Sequence, residues 1–309
     1  MPATSSTQIR IGGKSLAVSN LNKVLYPTAG FTKGQVIDYY MRISAVLLPH
    51  LKNRALTLKR YPNGVNGEFF YEKQCPAFRP KWFEVARVWS KQKRDHIAYC
   101  LVNSLPSLVW VANLADLELH TSLARYPKSD RPTAMVFDLD PGPGTDVLDC
   151  ARVAQWLREA LSKIELESFV KTSGSKGLQV YVPLNTLVTF DETKTFAHAL
   201  ASLIAESHPD EALTQMAKRL RAGKVFIDWS QNDYHKTTIC VYSLRAKEQP
   251  SVSTPLTWQE VQNGLKSGRP DSFFFSPEDV LRRAGKSGDL FEPVLTLKQR
   301  LPKERSVIR

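Results

Sequence analysis

Val136-Phe137-Asp138-Leu139-Asp140-Pro141-Gly142 alternates apolar and acidic side chains and then stops. A period of two is the strand signal, and on a strand residues i and i+2 share a face. Asp138 and Asp140 therefore point the same way, with Cα atoms about 6.6 Å apart at roughly 3.3 Å rise per residue. Phe137 and Leu139 turn toward a core. Pro141-Gly142 ends the strand and puts the carboxylates at a tip that a ligand can reach. Two like charges held so close call for a cation or a proton between them. The alternative reading of this stretch alone is a turn in which Asp140 caps the segment that follows.

A second acidic strand end lies in Lys224-Val225-Phe226-Ile227-Asp228-Trp229. Three carboxylates from two strands are the hard oxygen donors that Mg²⁺ or Mn²⁺ takes. Two such ions about 3.5 to 4 Å apart activate an attacking hydroxyl and neutralise a leaving pyrophosphate. Between the two acidic strands runs Thr172-Ser173-Gly174-Ser175-Lys176-Gly177. Its glycines permit close backbone approach, its serines offer hydroxyls and Lys176 supplies a point charge, a combination suited to an anion. It is not a Walker A loop, and Gly13-Lys14-Ser15 and Gly285-Lys286-Ser287 lack that motif's earlier glycine. Arg245, in Tyr242-Ser243-Leu244-Arg245, offers a bidentate phosphate grip, and His120 an imidazole.

Outward from this centre the pattern is regular. Strands are expected over 134–139, 168–172, 178–184, 225–229 and 237–243, and helices over 147–163, with Asp146 as N-cap, 192–206 and 211–221. Such mixing with tight joins implies an α+β fold, a ferredoxin-like or RRM-like sheet packed by helices. Upstream, strands are expected around the turn Gly12-Gly13 and over 56–60 and 69–72. Thr32-Lys33-Gly34-Gln35 has capping-box spacing and opens a helix burying Val36, Tyr40, Ile43 and Leu47. The basic and aromatic stretch 79–94 is expected as an exposed loop. Helices over 258–266 and 277–284 and a basic tail close the chain. The organisation expected is one catalytic unit: an N-terminal α/β module of about 1–130, a core of about 131–250 and a C-terminal extension of about 251–309.

The 309 residues include 42 Lys and Arg against 30 Asp and Glu, a net charge of +12 that favours polyanionic partners. Hydrophobic residues at 42% and charged residues at 23% are ordinary for globular chains and exclude general disorder. No apolar run spans a bilayer and the first residues lack an apolar leader core, so no membrane partner and a cytoplasmic location are expected. Cys75, Cys100, Cys150 and Cys240 match no zinc spacing, and buried free thiols are expected.

Asp-x-Asp, a Ser-Gly-x-Lys-Gly loop and a strand-end Asp, in that order, resemble the catalytic core of archaeo-eukaryotic primases. More closely, the chain resembles the polymerase domain of bacterial ligase D, the enzyme of non-homologous end joining. The resemblance runs from about Leu16 to Pro293 and includes Asn20-Leu21-Asn22-Lys23-Val24-Leu25-Tyr26-Pro27, Lys59-Arg60-Tyr61-Pro62-Asn63-Gly64, Tyr71-Glu72-Lys73 and Tyr242-Ser243-Leu244-Arg245-Ala246. It implies a primase-type fold and a template-directed nucleotidyltransferase that fills gaps and extends 3′ ends at double-strand breaks. Manganese (or magnesium), two ions per site, is the implied cofactor, with ribonucleotides often preferred over deoxynucleotides.

By position, Asp138, Asp140 and Asp228 would be the catalytic metal ligands. His120, Ser173, Lys176 and Arg245 would hold the triphosphate, and Gln231 would lie near the incoming nucleotide. Asn20, Lys23 and Lys33 match a pocket for the 5′-phosphate across a gap. Lys59 and the Phe70-Tyr71 pair match DNA-contacting and stacking residues, and Arg221 a loop that handles the template. Implied partners are DNA ends and gapped duplex, nucleoside triphosphates, ligase and phosphoesterase domains of a parent protein, and Ku, in the bacterial nucleoid.

Two positions depart from the family pattern: Gln179 stands where a histidine is usual, and Thr121-Ser122 follows His120 in place of Pro-Trp. With no K-x-D-G ligase motif and no phosphoesterase histidine cluster, an excised or stand-alone polymerase domain is expected. Two other classes fit parts of the pattern. A two-metal nuclease or phosphodiesterase uses the same carboxylates but needs no triphosphate loop. A non-catalytic RRM-like binder reads bases through sheet aromatics, whereas this sheet carries acids.

Overall fold

The capping-box spacing at Thr32 does start a helix. In the computed structural model, which describes residues 6–302 and so leaves the basic tail of 303–309 outside the described residues, Thr32 Oγ1 accepts the Gln35 N–H. The Gln35 side chain returns to Thr32 N at 2.8 Å. The helix runs Lys33–Leu51, and Val36, Tyr40, Ile43 and Leu47 on one face are buried.

In chain order, β1 (Ser6–Ile11) and β2 (Lys14–Ser19) form a hairpin, β3 (Val24–Tyr26) and β4 (Phe31–Thr32) a shorter one, and α1 (Lys33–Leu51) follows. Then come β5 (Leu56–Arg60), β6 (Phe70–Glu72), β7 (Val85–Ser90), β8 (Asp95–Cys100), α2 (Leu105–Asn113), β9 (Asp116–Thr121) and β10 (Ala124–Arg125). The middle of the chain holds β11 (Lys128–Pro132), β12 (Ala134–Pro141), α3 (Val147–Lys163), β13 (Phe169–Thr172), β14 (Leu178–Pro183), α4 (Phe190–Ser207), β15 (Ala212–Leu213) and β16 (Val225–Asp228). It closes with β17 (Thr238–Ile239), β18 (Leu244–Arg245), β19 (Ser251–Val252), β20 (Pro255–Leu256), α5 (Trp258–Ser267), α6 (Pro277–Ser287) and α7 (Pro293–Thr296).

These elements belong to two compact units. One comprises the chain up to residue 127 with 237–252 and 276–288; the other comprises 128–236, 253–275 and the chain from 289. The residues of the expected C-terminal extension are thus shared between both units. Among the described residues, no helix is long and apolar enough to cross a membrane.

The first unit is built on a sheet of order β17-β9-β5-β8-β7, with β6 also paired to β5. Helix α1 is tied to it by buried tyrosines: Tyr40 Oη donates to the Leu117 carbonyl at 2.7 Å and Tyr39 Oη to that of Tyr242 at 2.8 Å. The second unit is an α+β layer structure. Its sheet, of order β15-β16-β12-β14-β13-β20, is antiparallel except for the parallel β15–β16 pair. One face carries Met135, Phe137, Leu139, Val170, Leu178, Val180 and Ile227, packed with α3, α4 and α5 residues into a continuous core. Burying one side chain of this size is worth roughly 1.5 to 3 kcal/mol, so this apolar face fixes which residues occupy the other.

Four expectations are corrected, the last being that all four cysteines are free thiols. The stretch 79–94 is not a loop throughout, since Val85–Ser90 pairs with Asp95–Cys100 in a hairpin; Ala86 and Val88 turn inward while Arg87 and Trp89 are exposed, a strand period that places the basic side chain outside. The helix expected over 211–221 is absent. Ala212 and Leu213 instead extend the sheet beside Val225 and Phe226, and only Lys218–Leu220 makes a 3₁₀ turn, because pairing with an open sheet edge overrides helical spacing. The strand expected over 237–243 is confined to Thr238–Ile239. Cys75 and Cys100 form a disulfide, whereas Cys150 and Cys240 are buried thiols. The Cys75 N–H donates to the Ala98 carbonyl at 2.7 Å, which brings the segment after β6 against β8.

Candidate active site

Register sets the polar face of the second unit's sheet. Asp138 on β12 lies directly opposite Asp228 on β16 and, on its other side, opposite Gln179 on β14, which is opposite Lys171 on β13. Direct partners share a face. Asp228, Asp138, Gln179 and Lys171 thus form a row across four strands, and Asp140 is the next residue of β12 on that face.

Asp228 is held firmly. Its Oδ1 accepts from Ser230 N at 2.9 Å and Ser230 Oγ at 2.6 Å, its Oδ2 from Gln231 Nε2 at 2.8 Å, and Lys236 Nζ donates to Ser230 Oγ at 2.7 Å. Asp138 is pushed up to about 7 by burial and then by the charge of Asp140, against the hydrogen bond from Gln179. Lys171 is 0% exposed and its ammonium donates to Ser253 Oγ at 2.7 Å.

An acid raised in this way is a site short of positive charge, and the donors are carboxylate oxygens, so the row suits a divalent cation. Among the described residues, no three His, Cys, Asp or Glu side chains are already gathered around one point.

The loop 173–177 is pressed onto the same strand. A Cβ on Gly177 would stand 1.9 Å from the Leu139 carbonyl oxygen, so only glycine allows the approach, and Gly174 takes φ +67°. Ser173 Oγ accepts the N–H groups of Ser175 and Gly177, both at 3.2 Å, so this hydroxyl shapes the loop; Lys176 extends outward, exposed. Arg221 folds back, donating to the Met216 carbonyl at 2.8 Å with its guanidinium 3.7 Å from the Phe226 ring.

His120 and Arg245 lie in the first unit, where they meet a residue absent from the sequence expectations. Glu118, opposite Lys59 in register, receives Lys59 Nζ at 3.1 Å and His120 Nε2 at 3.0 Å, with Arg245 Nε at 3.4 Å. Burial lowers the His120 pKa despite Glu118. Burial pushes Glu118 up, yet the His120 hydrogen bond and the charges of Arg245 and Lys59 outweigh it and hold the carboxyl far below its usual range.

Tyr71 is opposite Lys59 and Phe70 opposite Arg60, so the two rings occupy different faces of β6. The Lys59 ammonium is 5.5 Å from the Tyr71 ring and 4.7 Å from that of Phe69, whereas Phe70 lies 5.0 Å from the Arg60 guanidinium.

Asn20, Lys23 and Lys33 do come together. Asn20 (φ +55°) and Lys23 close a turn, Lys23 N to Asn20 O at 2.9 Å, and the Lys33 N–H donates to the Lys23 carbonyl at 2.8 Å. Lys23 Nζ donates to Asn63 Oδ1 at 3.0 Å, and Lys33 Nζ is 3.5 Å from Ser19 Oγ. Burial, then the charges of Lys23 and Arg60, lower the Lys33 ammonium to about 8.

A family model described as LigD, primase-polymerase domain, matches residues 32–291. The chain belongs to the LigD primase-polymerase family. This family is metal-dependent and its members are nucleotidyltransferases. The chain is 39% identical over 279 residues to the multifunctional non-homologous end joining protein LigD of Mycolicibacterium smegmatis, covering 90% of this chain and 36% of that protein. It is 33% identical over 274 residues to the bifunctional LigD of Bacillus subtilis, covering 88% of this chain and 43% of that protein. The chain thus spans well under half the length of these relatives. A solved structure of the polymerase domain from Mycobacterium tuberculosis ligase D in complex with DNA superposes with a TM-score of 0.85 at 38% identity, covering 92% of this chain and 99% of that one. The α+β fold is that of the LigD polymerase domain.

Proposed function

We propose that the chain catalyses template-directed nucleotidyl transfer, filling gaps and extending 3′ ends at double-strand breaks in bacterial non-homologous end joining. The observation that carries this reading is the row Asp228–Asp138–Gln179–Lys171, with Asp140 beside it and a glycine-bound loop bearing Lys176 pressed against the same strand. Asp138, Asp140 and Asp228 are proposed to hold two divalent ions, Mn²⁺ or Mg²⁺. At these carboxylates, bound ions would supply Lewis acidity toward the primer 3′-hydroxyl and would offset charge on the leaving pyrophosphate.

The protein's own groups do the rest. Lys176 meets the triphosphate as a point charge, and Ser173 holds the loop in shape. Gln231 and Ser230 keep the Asp228 carboxylate in one orientation. His120 and Arg245 are proposed to contact phosphate oxygens. Lys59, Phe70, Tyr71 and Arg221 are proposed DNA contacts, and Asn20, Lys23 and Lys33 a pocket for the 5′-phosphate across a gap.

The net charge of +12 supports binding through the DNA backbone, which is salt-sensitive and largely sequence-independent. Ribonucleotide preference, association with Ku, cooperation with ligase and phosphoesterase domains, and action in the nucleoid complete the proposal. Incubation of end-labelled gapped DNA with each ion, with ribo- and deoxynucleotides or with none, is the test. Templated lengthening that needs both ion and nucleotide supports the reading, and ion-dependent shortening without nucleotide replaces it with a nuclease.

A further inference from the structure

We propose that Glu118 is a positioning residue, the buried carboxylate that sets the spacing of Lys59, His120 and Arg245 as one anion-binding face; this rests on the role given above to His120 and Arg245. Three hydrogen-bond donors and one guanidinium, from three parts of the chain, converge on its two oxygens. Oε2 receives Lys59 Nζ from β5 at 3.1 Å and His120 Nε2 from β9 itself at 3.0 Å. Oε1 receives the Ala246 N–H at 3.0 Å and lies 3.4 Å from Arg245 Nε at the end of β18.

Of a carboxylate's roughly four lone-pair sites, three take these hydrogen bonds, and the Arg245 guanidinium adds its charge beside Oε1. The Glu118 side chain is 1% exposed, while those of Lys59, His120 and Arg245 are 13 to 15% exposed. The acid is therefore out of a ligand's reach, whereas each of the three basic side chains keeps a small exposed part. Tyr71 flanks them, its ring centroid 6.0 Å from that of His120.

Buried ion pairs contribute little net stability relative to apolar packing, because desolvation offsets their attraction. What the arrangement does supply is geometry. Lys59 and Arg245 repel one another without Glu118, and both side chains are long and rotamer-rich, so the carboxylate fixes where each presents its remaining donors. It also fixes the His120 ring: with the Nε2–H given to Glu118, Nδ1 is the nitrogen left to face a ligand, and it donates to a phosphate oxygen when the ring is protonated. The ligand class that fits a fixed set of two cations and an imidazole is a polyphosphate.

The sign of one substitution separates positioning from plain charge. Glu118→Gln adds one positive charge to the face, so a purely electrostatic patch binds anions more tightly. On the positioning account the amide presents only one acceptor oxygen to three donors and no charge to Arg245, and affinity falls. Calorimetric titration of the full chain with a nucleoside triphosphate is expected to show at least about tenfold weaker binding for Glu118→Gln, the loss of one charge-assisted hydrogen bond, and an intermediate loss for Glu118→Asp. Nitrogen-15 shifts of His120 in the unsubstituted protein are expected to report protonation at Nε2. Unchanged or tighter binding by Glu118→Gln, or protonation of the neutral ring at Nδ1, overturns the positioning role. Unchanged affinity in Arg245→Ala overturns the role given to the face itself, which keeps the two failures apart.

Discussion

Lys33 gives the proposed 5′-phosphate pocket a pH signature. Its ammonium is lowered from 10.5 to about 8 by burial first and by Lys23 and Arg60 next. A lysine whose folded pKa lies below its unfolded value is charged in the fold only below about 8, and the cost of holding that charge disappears as pH rises from 8 toward 10.5. Binding runs the other way, because a phosphate favours the charged ammonium.

The charged fraction falls from ~0.9 at pH 7 to ~0.1 at pH 9, so affinity that depends on it falls about tenfold over that range. The phosphate does not contribute to the change, since its second pKa is near 6 and it is dianionic throughout. At pH 7 the advantage of a gap bearing a 5′-phosphate over one bearing a 5′-hydroxyl is expected to be about 10- to 150-fold, the worth of a charge-assisted hydrogen bond in a largely dry site. Fluorescence anisotropy with both DNAs at pH 7, 8 and 9 and fixed ionic strength isolates the ratio from general DNA binding. Lys33→Met is expected to show a smaller ratio that is flat with pH. A wild-type ratio that does not change between pH 7 and 9, or a slope that survives Lys33→Met, refutes the reasoning.

Lys176→Ala is expected to raise the apparent KM for nucleotide severalfold while leaving gapped-DNA affinity near wild type, measured by steady-state extension and by anisotropy. Gly177→Ala forces a Cβ into the Leu139 carbonyl oxygen; urea denaturation is expected to show a loss of about 1 to 3 kcal/mol, the usual cost of overpacking, accompanied by weaker nucleotide use. Because Phe70 and Tyr71 sit on different faces of β6, Tyr71→Ala and Phe70→Ala are expected to differ in their effect on gapped-DNA affinity by at least threefold; equal losses argue that both rings reach the same DNA surface.

The parts of this molecule written in local pattern were legible without coordinates. The alternation around Asp138, the cap at Thr32 and the N-cap at Asp146 each encode their own geometry within a few residues, and strands and helices formed there. What escaped was set by partners far along the chain. Residues 211–221 carry helical spacing, but the Val225 N–H bonds to the Glu211 carbonyl and draws the next two residues into the sheet. Cys75 and Cys100 are 25 residues apart and meet only because the segment after β6 pairs with β8. Glu118 is one of two acids in β9, and its importance depends on Arg245 and Ala246, more than a hundred residues later. Lys171 was similarly hidden, since only the register of β13 with β14 reveals a fully buried lysine in the acidic row.

The central claim is that Asp138 and its neighbours hold a divalent cation for nucleotide addition. Extension of a labelled primer across a templated gap, with Mn²⁺ and nucleotides, by the wild-type chain and by Asp138→Asn tests it most directly, with DNA binding measured in parallel. The wild type is expected to add templated nucleotides. The variant is expected to add none while binding DNA at least as tightly, because a ligand and a negative charge are lost together. Undiminished extension by Asp138→Asn would contradict the account.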